Sequence, residues 1–193
     1  MSSTETNLEG LSKRPRRADA RRNYAKLLAA ARDAFAEDGT SASLEDIARR
    51  AEVGIGTLYR HFPSRPDLLE AVYVDEVEAM ARSAADLADL PPWDALVDWL
   101  HQFVRYAATK RALADEMMAY IDQDAEVFRG CRTAITAAGE ALLQRAQAAG
   151  AARTDTNFTD VGRMVSGIAS IRAADEAQIE RILDMALDGL RAR

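Results

Sequence analysis

Apolar residues recur at helical spacing along most of the chain. Between Tyr24 and Phe35 they fall every three or four positions, the spacing that buries one face of a helix. Similar stripes continue to the C-terminus, and no segment shows the strict alternation of a β-strand. Together with the caps and breaks between them, the stripes predict nine helices at about 19–38, 44–51, 55–61, 64–90, 93–107, 111–121, 124–149, 157–173 and 176–190. The pattern predicts an all-α protein.

The second and third of these helices are short, and a tight turn at Glu52-Val53-Gly54 separates them. Ser43 and Asp46 resemble a capping box at the start of the second helix, with aspartate in the place usually held by glutamate. Two short helices at such a turn, packed on a preceding helix, form a helix-turn-helix. We therefore predict this motif between about Ser43 and Phe62.

The charge distribution indicates which end of the chain meets an anionic partner. The net charge of the 193 residues is −6, which by itself argues against nucleic acid. Residues 1–65, however, hold 12 Lys and Arg against 9 Asp and Glu, whereas residues 66–193 hold 13 against 22. A basic N-terminal part on an acidic body suits a protein that presents one end to phosphates. Residues 1–17 are predicted to be a disordered basic arm that contacts DNA or remains a solvated tail.

Several classes of site and location are excluded by what the sequence lacks. The single cysteine, Cys131, permits no intrachain disulfide, and its apolar stripe predicts a buried thiol in a cytoplasmic protein. No apolar run is long enough to span a membrane. His101 has no ligand partner at metal-binding spacing on its own turn. We predict no catalytic site, no cofactor and no metal ion.

The third helix carries the groups that suit a DNA groove. Its N-terminal end has little bulk, its C-terminal half offers hydrogen-bond donors, and arginines add charge. Core packing is the alternative for Tyr59, and a plain surface position is the alternative for His61. The candidate DNA-binding residues are Ser43, Gly54, Ile55, Gly56, Thr57, Tyr59, Arg60, His61 and Arg65.

The segment Leu44–Phe62, ending in Gly-Thr-Leu-Tyr-Arg-His-Phe, closely resembles the DNA-binding signature of the TetR family of regulators. The similarity extends back to residues 28–35 and Gly39, and forward to residues 64–69, about a third of the chain. The resemblance implies a nine-helix fold in which a three-helix DNA-binding domain, residues 18–64, precedes a ligand-binding and dimerisation domain, residues 65–193.

The resemblance also implies roles for single residues. It places Thr57, Tyr59, His61 and Arg65 at operator-backbone positions, and Gly54, Ile55 and Arg60 at positions that vary with the target. Two residues depart from the family pattern: Gly54 replaces a frequent Ser or Thr, and Glu52 stands where Gly is common. If Glu52 adopts a left-handed conformation, its side chain costs about 1 kcal/mol.

The C-terminal region yields two further predictions. Apolar stripes on the last two helices form either an intramolecular core or, as the resemblance favours, a dimer interface of Val161, Met164, Val165, Ile168, Ile171, Ile179, Ile182, Ala186 and Leu190. Aromatic and methionine side chains either pack on another helix or line an apolar effector pocket of Trp99, Phe103, Tyr106, Met117, Met118, Tyr120, Phe128 and Met164.

These features together predict a homodimeric DNA-binding transcriptional regulator. The family resemblance favours a repressor that a small, largely apolar effector releases from its double-stranded operator. The alternative is an architectural DNA-binding protein without an effector, which would bind many sequences with similar affinity.

Overall fold

The computed structural model describes residues 15, 17–118, 126–171 and 174–192. Within these residues the protein is all-helical, and its helices are α1 Ala18–Asp38, α2 Leu44–Arg50, α3 Ile55–His61, α4 Arg65–Asp86, α5 Pro92–Met117, α6 Glu126–Ala148, α7 Phe158–Ala169 and α8 Glu176–Asp188. A short 3-10 turn follows α1. No described helix is long and apolar enough to cross a membrane.

The all-α class is confirmed, but the prediction of nine helices is wrong. The predicted helices at 93–107 and 111–121 are one helix as far as Met117, where α5 ends. No glycine or proline lies between Ala107 and Arg111, and the residues there include good helix formers, so nothing in the backbone interrupts the helix. Residues 119–125 lie outside the described residues.

The described residues divide into two compact units, one within the ranges 1–76 and 109–131 and the other within the ranges 77–108 and 132–193. In the first unit, the apolar face of α1 forms a core with α2 and α3. Its buried side chains include Leu27, Ala31, Ile47, Leu58 and Phe62. The predicted stripe of α1 is thus buried, and it fixes the two short helices against a longer one.

In the second unit, α5 contributes buried side chains from two stripes. Leu96, Leu100 and Val104 lie on one stripe, and Trp99, on the other, is also fully buried. The indole Nε1–H of Trp99 donates to the carbonyl oxygen of Met80 at 3.1 Å. This bond satisfies the one polar group of a buried tryptophan.

The start of α7 is fixed by a close contact with α6. Asn157 caps α7 by accepting a hydrogen bond from Asp160 N, and Phe158 N donates to Glu140 Oε2 at 2.9 Å. The ring of Phe158 lies directly on Gly139, where an added Cβ would be only 2.1 Å from a ring carbon. Gly139 is therefore required by packing, although its φ is not positive.

Candidate nucleic-acid interface

The turn between α2 and α3 holds Glu52 in the left-handed conformation that the sequence analysis considered for it. Ser43 Oγ accepts a hydrogen bond from Asp46 N at 3.0 Å, which caps α2. After Ala51, Glu52 has a φ of 55°, and Val53 N donates to the carbonyl oxygen of Ala48. This bond pattern is a Schellman ending with glutamate in the usual glycine position. The cap also gives Ser43 a structural role, and its predicted contact with DNA stays a prediction.

Buried and exposed residues divide α3 into two faces. Leu58 and, just after the helix, Phe62 are buried, so they hold α3 against the core of the first unit. On the outer face, Ile55 is 39% and Tyr59 is 44% exposed. Core packing, the alternative for Tyr59, is therefore excluded. Other candidates are exposed as well, namely Gly54, Gly56 and Arg60, while Thr57 is half-buried.

His61 lies at the edge of this face and against the core. Its ring meets Tyr24 edge-on with centroids 5.9 Å apart, and it lies 6.2 Å from the ring of Phe62. This partial burial lowers the pKa of His61 below its ordinary value of 6.5. At neutral pH the free protein therefore presents a neutral imidazole, which can still donate one hydrogen bond to a phosphate.

Arg65 has a structural role that sequence reasoning missed. Its guanidinium lies over the ring of Phe35, 5.1 Å from the centroid, and donates to the carbonyl oxygen of Ala42. Ser64 and Asp67 exchange hydrogen bonds around the same turn, with Ser64 N donating to Asp67 Oδ2 at 2.9 Å. These contacts tie the start of α4 to α1 and to the loop before α2. A phosphate contact by Arg65 stays a prediction.

The arginines of α2 are occupied by neighbouring carboxylates. Arg50 pairs with Glu37, Asp38 and Asp46, the first and last at 2.6 Å. The hydrogen bonds to Glu37 and Asp46 raise the pKa of Arg50. Arg49 also pairs with Asp46. These charges therefore hold α1 and α2 together. The predicted basic arm, residues 1–17, lies outside the described residues except for Pro15 and Arg17.

The described effector candidates are distributed over both units. In the second unit, Trp99 stacks on Phe103 with centroids 5.5 Å apart, and Tyr106 continues the stack at 6.1 Å. Phe158, which the sequence analysis did not include, meets Trp99 edge-on at 5.6 Å. Two members are thus buried in a packed aromatic cluster, whereas Tyr106 is half-buried.

The remaining pocket candidates have other surroundings. In the first unit, Met117 is buried, Met118 is exposed, and Phe128 packs edge-on against Tyr73 at 5.3 Å. Met164 is half-buried on α7, and Tyr120 lies outside the described residues. The effector pocket stays a prediction.

The predicted dimer residues fall into a buried group and an accessible group. Val161, Val165, Ile168 and Leu190 are buried inside the single chain, so they contribute to its own core. The others remain accessible to some degree: Met164, Ile171, Ile179, Ile182 and Ala186. Met185, which the sequence analysis left out, is the most exposed large apolar residue described, at 76%. Fewer of the predicted residues are therefore accessible for a dimer interface than the sequence analysis expected.

His101 on α5 contacts two carboxylates of α8. Its Nδ1 contacts Glu180, its Nε2 lies 3.1 Å from Asp184 Oδ1, and Arg105 pairs with Glu180 at 2.7 Å. Burial raises the pKa of Glu180, but the hydrogen bonds from His101 and Arg105 outweigh it, so that pKa is lowered overall. The cluster joins α5 to α8. Among the described residues, no group of His, Cys, Asp and Glu is arranged to hold a metal ion.

An exposed short helix, fixed by a preceding helix and a tight turn, defines the helix-turn-helix class of DNA-binding protein. Two family models match: residues 27–72 match "Bacterial regulatory proteins, tetR family", and residues 91–192 match "Transcriptional regulator SbtR-like, C-terminal domain". The chain belongs to the TetR family of DNA-binding transcriptional regulators, as the sequence resemblance predicted. It is a family of regulators and not of enzymes.

Individual relatives agree with this assignment. The HTH-type transcriptional regulator UidR of Escherichia coli K12 is 29% identical over 163 residues, which cover 79% of this chain and 83% of the relative. The crystal structure of the TetR regulator SCO0520 from Streptomyces coelicolor is 44% identical, with a TM-score of 0.77, and covers 87% of this chain and 98% of that one. A TetR regulator from Mycobacterium vanbaalenii is 36% identical, with a TM-score of 0.77, covering 92% and 100%.

Proposed function

We propose that the protein is a homodimeric repressor whose operator affinity falls when a small, largely apolar effector binds. The outer face of α3 carries this proposal, because Ile55, Tyr59 and Arg60 are exposed on a helix whose opposite side is buried. A helix supported in this way fits the major groove with its outer face toward the bases.

A dimer would give this small surface its specificity. Two copies of α3 bind two half-sites one turn of DNA apart, about 34–36 Å, only when a second interface holds the copies together. Exposed apolar side chains on and beside α7 and α8 suit that role, notably Met185 and Ile171. The half-buried Ile179 and Ile182 add to the same helix pair. A contiguous apolar patch on a monomer marks an association surface, whereas single exposed apolar residues are ordinary.

For the effector, the aromatic stripe of α5 supplies the supporting chemistry. Phe103 and Tyr106 are stacked, and the half-buried Tyr106 carries a hydroxyl that can orient a ligand. Such walls suit an apolar molecule. Its binding lowers operator affinity only if it prefers the conformation that does not bind DNA.

The test is to map the genomic fragments that the purified protein binds, and then to place a bound fragment upstream of a reporter gene. We expect a few specific sites with two related half-sites, and lower reporter expression when the protein is present. Similar affinity for all fragments would favour the architectural alternative. Higher expression would make the protein an activator and refute repression.

A further inference from the structure

Arg60 differs from the neighbouring arginines in having no partner in the described part of the chain. Four arginines lie on α2, on α3 and at the start of α4. Carboxylates hold Arg49 and Arg50, and Arg65 lies over a phenylalanine ring while donating to a carbonyl oxygen. Arg60 is exposed on the last turn of α3, and no carboxylate of the described residues pairs with it. Within the described residues its five N–H donors are therefore left for water or for a bound partner.

Gly56 lies one helical turn before Arg60, on the same ridge of α3. Glycine inside a helix is unfavourable, so its presence needs a reason. The fold supplies none, because the φ of Gly56 is not positive and an added Cβ would meet no atom within 4 Å. Gly139, by contrast, is required by the ring of Phe158. Nothing in the described part of the chain therefore requires the missing side chain at Gly56, and its absence leaves room for a molecule that approaches α3 from outside.

The two observations concern one patch of surface. A helical side chain leans toward the N-terminus and covers the turn before its own Cα, so the side chain of Arg60 covers the surface at Gly56. With glycine there, the guanidinium and an approaching base edge share space that a larger residue would fill. The other exposed residues of α3 offer less for base recognition: Ile55 has no polar side-chain atom, and Tyr59 has a single hydroxyl.

We propose that Arg60 reads a guanine in each operator half-site, and that Gly56 provides the close approach this contact needs. Guanine presents O6 and N7 to the major groove, which matches the fork of an arginine. The inference rests on the proposed function and deepens it, because it names the base that sets specificity. Ile55 and Tyr59, on the adjacent ridge, would add apolar contacts to the groove.

The experiment is selection of bound duplexes from a random-sequence DNA library by the full-length protein. Wild type should enrich a guanine at one position of each half-site. Arg60→Gln should select adenine at that position and leave the others unchanged, because glutamine pairs with adenine N6 and N7. Arg49→Gln is the matched control: Asp46 holds that arginine, so its base preference should equal that of wild type.

Two affinity measurements on a selected duplex complete the test. Replacing the guanine by 7-deazaguanine, which lacks N7, should weaken wild-type binding by about 10-fold and leave Arg60→Gln unaffected. Gly56→Ala should unfold at a higher temperature than wild type, since alanine favours helix, and yet bind the duplex about 10-fold more weakly.

Three outcomes would overturn the proposal. If Arg60→Gln selects the same base as wild type at every position, another residue reads the operator, although specific binding stands. If Gly56→Ala binds as tightly as wild type, no close approach is needed at that position. If wild type enriches no sequence, the repressor proposal fails together with this inference.

Discussion

Glu52→Gly is expected to stabilise the free protein, because Glu52 has a φ of 55°. A side chain in this left-handed conformation costs about 1–2 kcal/mol relative to glycine. The greater freedom of glycine in the unfolded chain opposes that gain by about 0.4–1 kcal/mol. The ion pair with Lys26, at 3.5 Å, joins two mostly exposed side chains, so its loss matters little. The free energy of unfolding should therefore rise by about 0.5–1 kcal/mol.

Urea unfolding of the DNA-free protein at fixed protein concentration measures this change. Glu52→Ala is the matched control, because it removes the ion pair and keeps a Cβ at the same φ. We expect the glycine variant to unfold at higher urea than wild type, and the alanine variant at equal or slightly lower urea, with unchanged slopes. A glycine variant no more stable than the alanine variant would refute the argument from backbone strain.

Three further variants test other parts of the account. Gly139→Ala should lower the free energy of unfolding by about 1–3 kcal/mol, because its Cβ would overlap the ring of Phe158; an unchanged urea midpoint would contradict this. Burial lowers the pKa of His61, so the unfolded chain binds more protons than the folded protein below about pH 6.5, and stability falls there. Between about pH 7.5 and 5.5, the free energy of unfolding of His61→Gln should fall less than that of wild type. Equal losses would argue against a lowered pKa of His61 in the folded protein. Met185→Asp should give monomers in sedimentation and weaken operator binding, whereas Thr136→Asp, an exposed control on α6, should change neither; a dimeric Met185→Asp would exclude Met185 from the interface.

The N-terminal helices were predictable because their signals are local. The apolar stripe of α1, the cap at Ser43 and the tight turn all lie within a few residues of the structure they determine. The left-handed Glu52 was also predictable, since it stands where related sequences carry glycine. Local signals do not specify which side chains contact residues that are distant in the sequence. The contact of Arg65 with Phe35 joins residues 30 positions apart, so the sequence suggested only a free cation.

Contacts between distant segments explain the other differences. Helical periodicity shows that one face of α7 is buried, but it does not show what covers that face. Val161 and Val165 are covered by their own chain, and Met185 is left exposed on α8. The contact between Gly139 and Phe158 could not be read from the sequence, because a glycine inside α6 indicates a close approach but does not show which residue approaches. Only the folded chain shows why that glycine is needed.

The central claim is that this protein recognises a particular operator through the outer face of α3. The most direct measurement is the ratio of its dissociation constants for a scrambled duplex and for a selected operator, titrated at one fixed salt concentration near physiological. We expect a ratio of about 10³ or more, as specific DNA-binding proteins show. A ratio near one would mean that the protein binds only the phosphate backbone and does not recognise an operator sequence through α3.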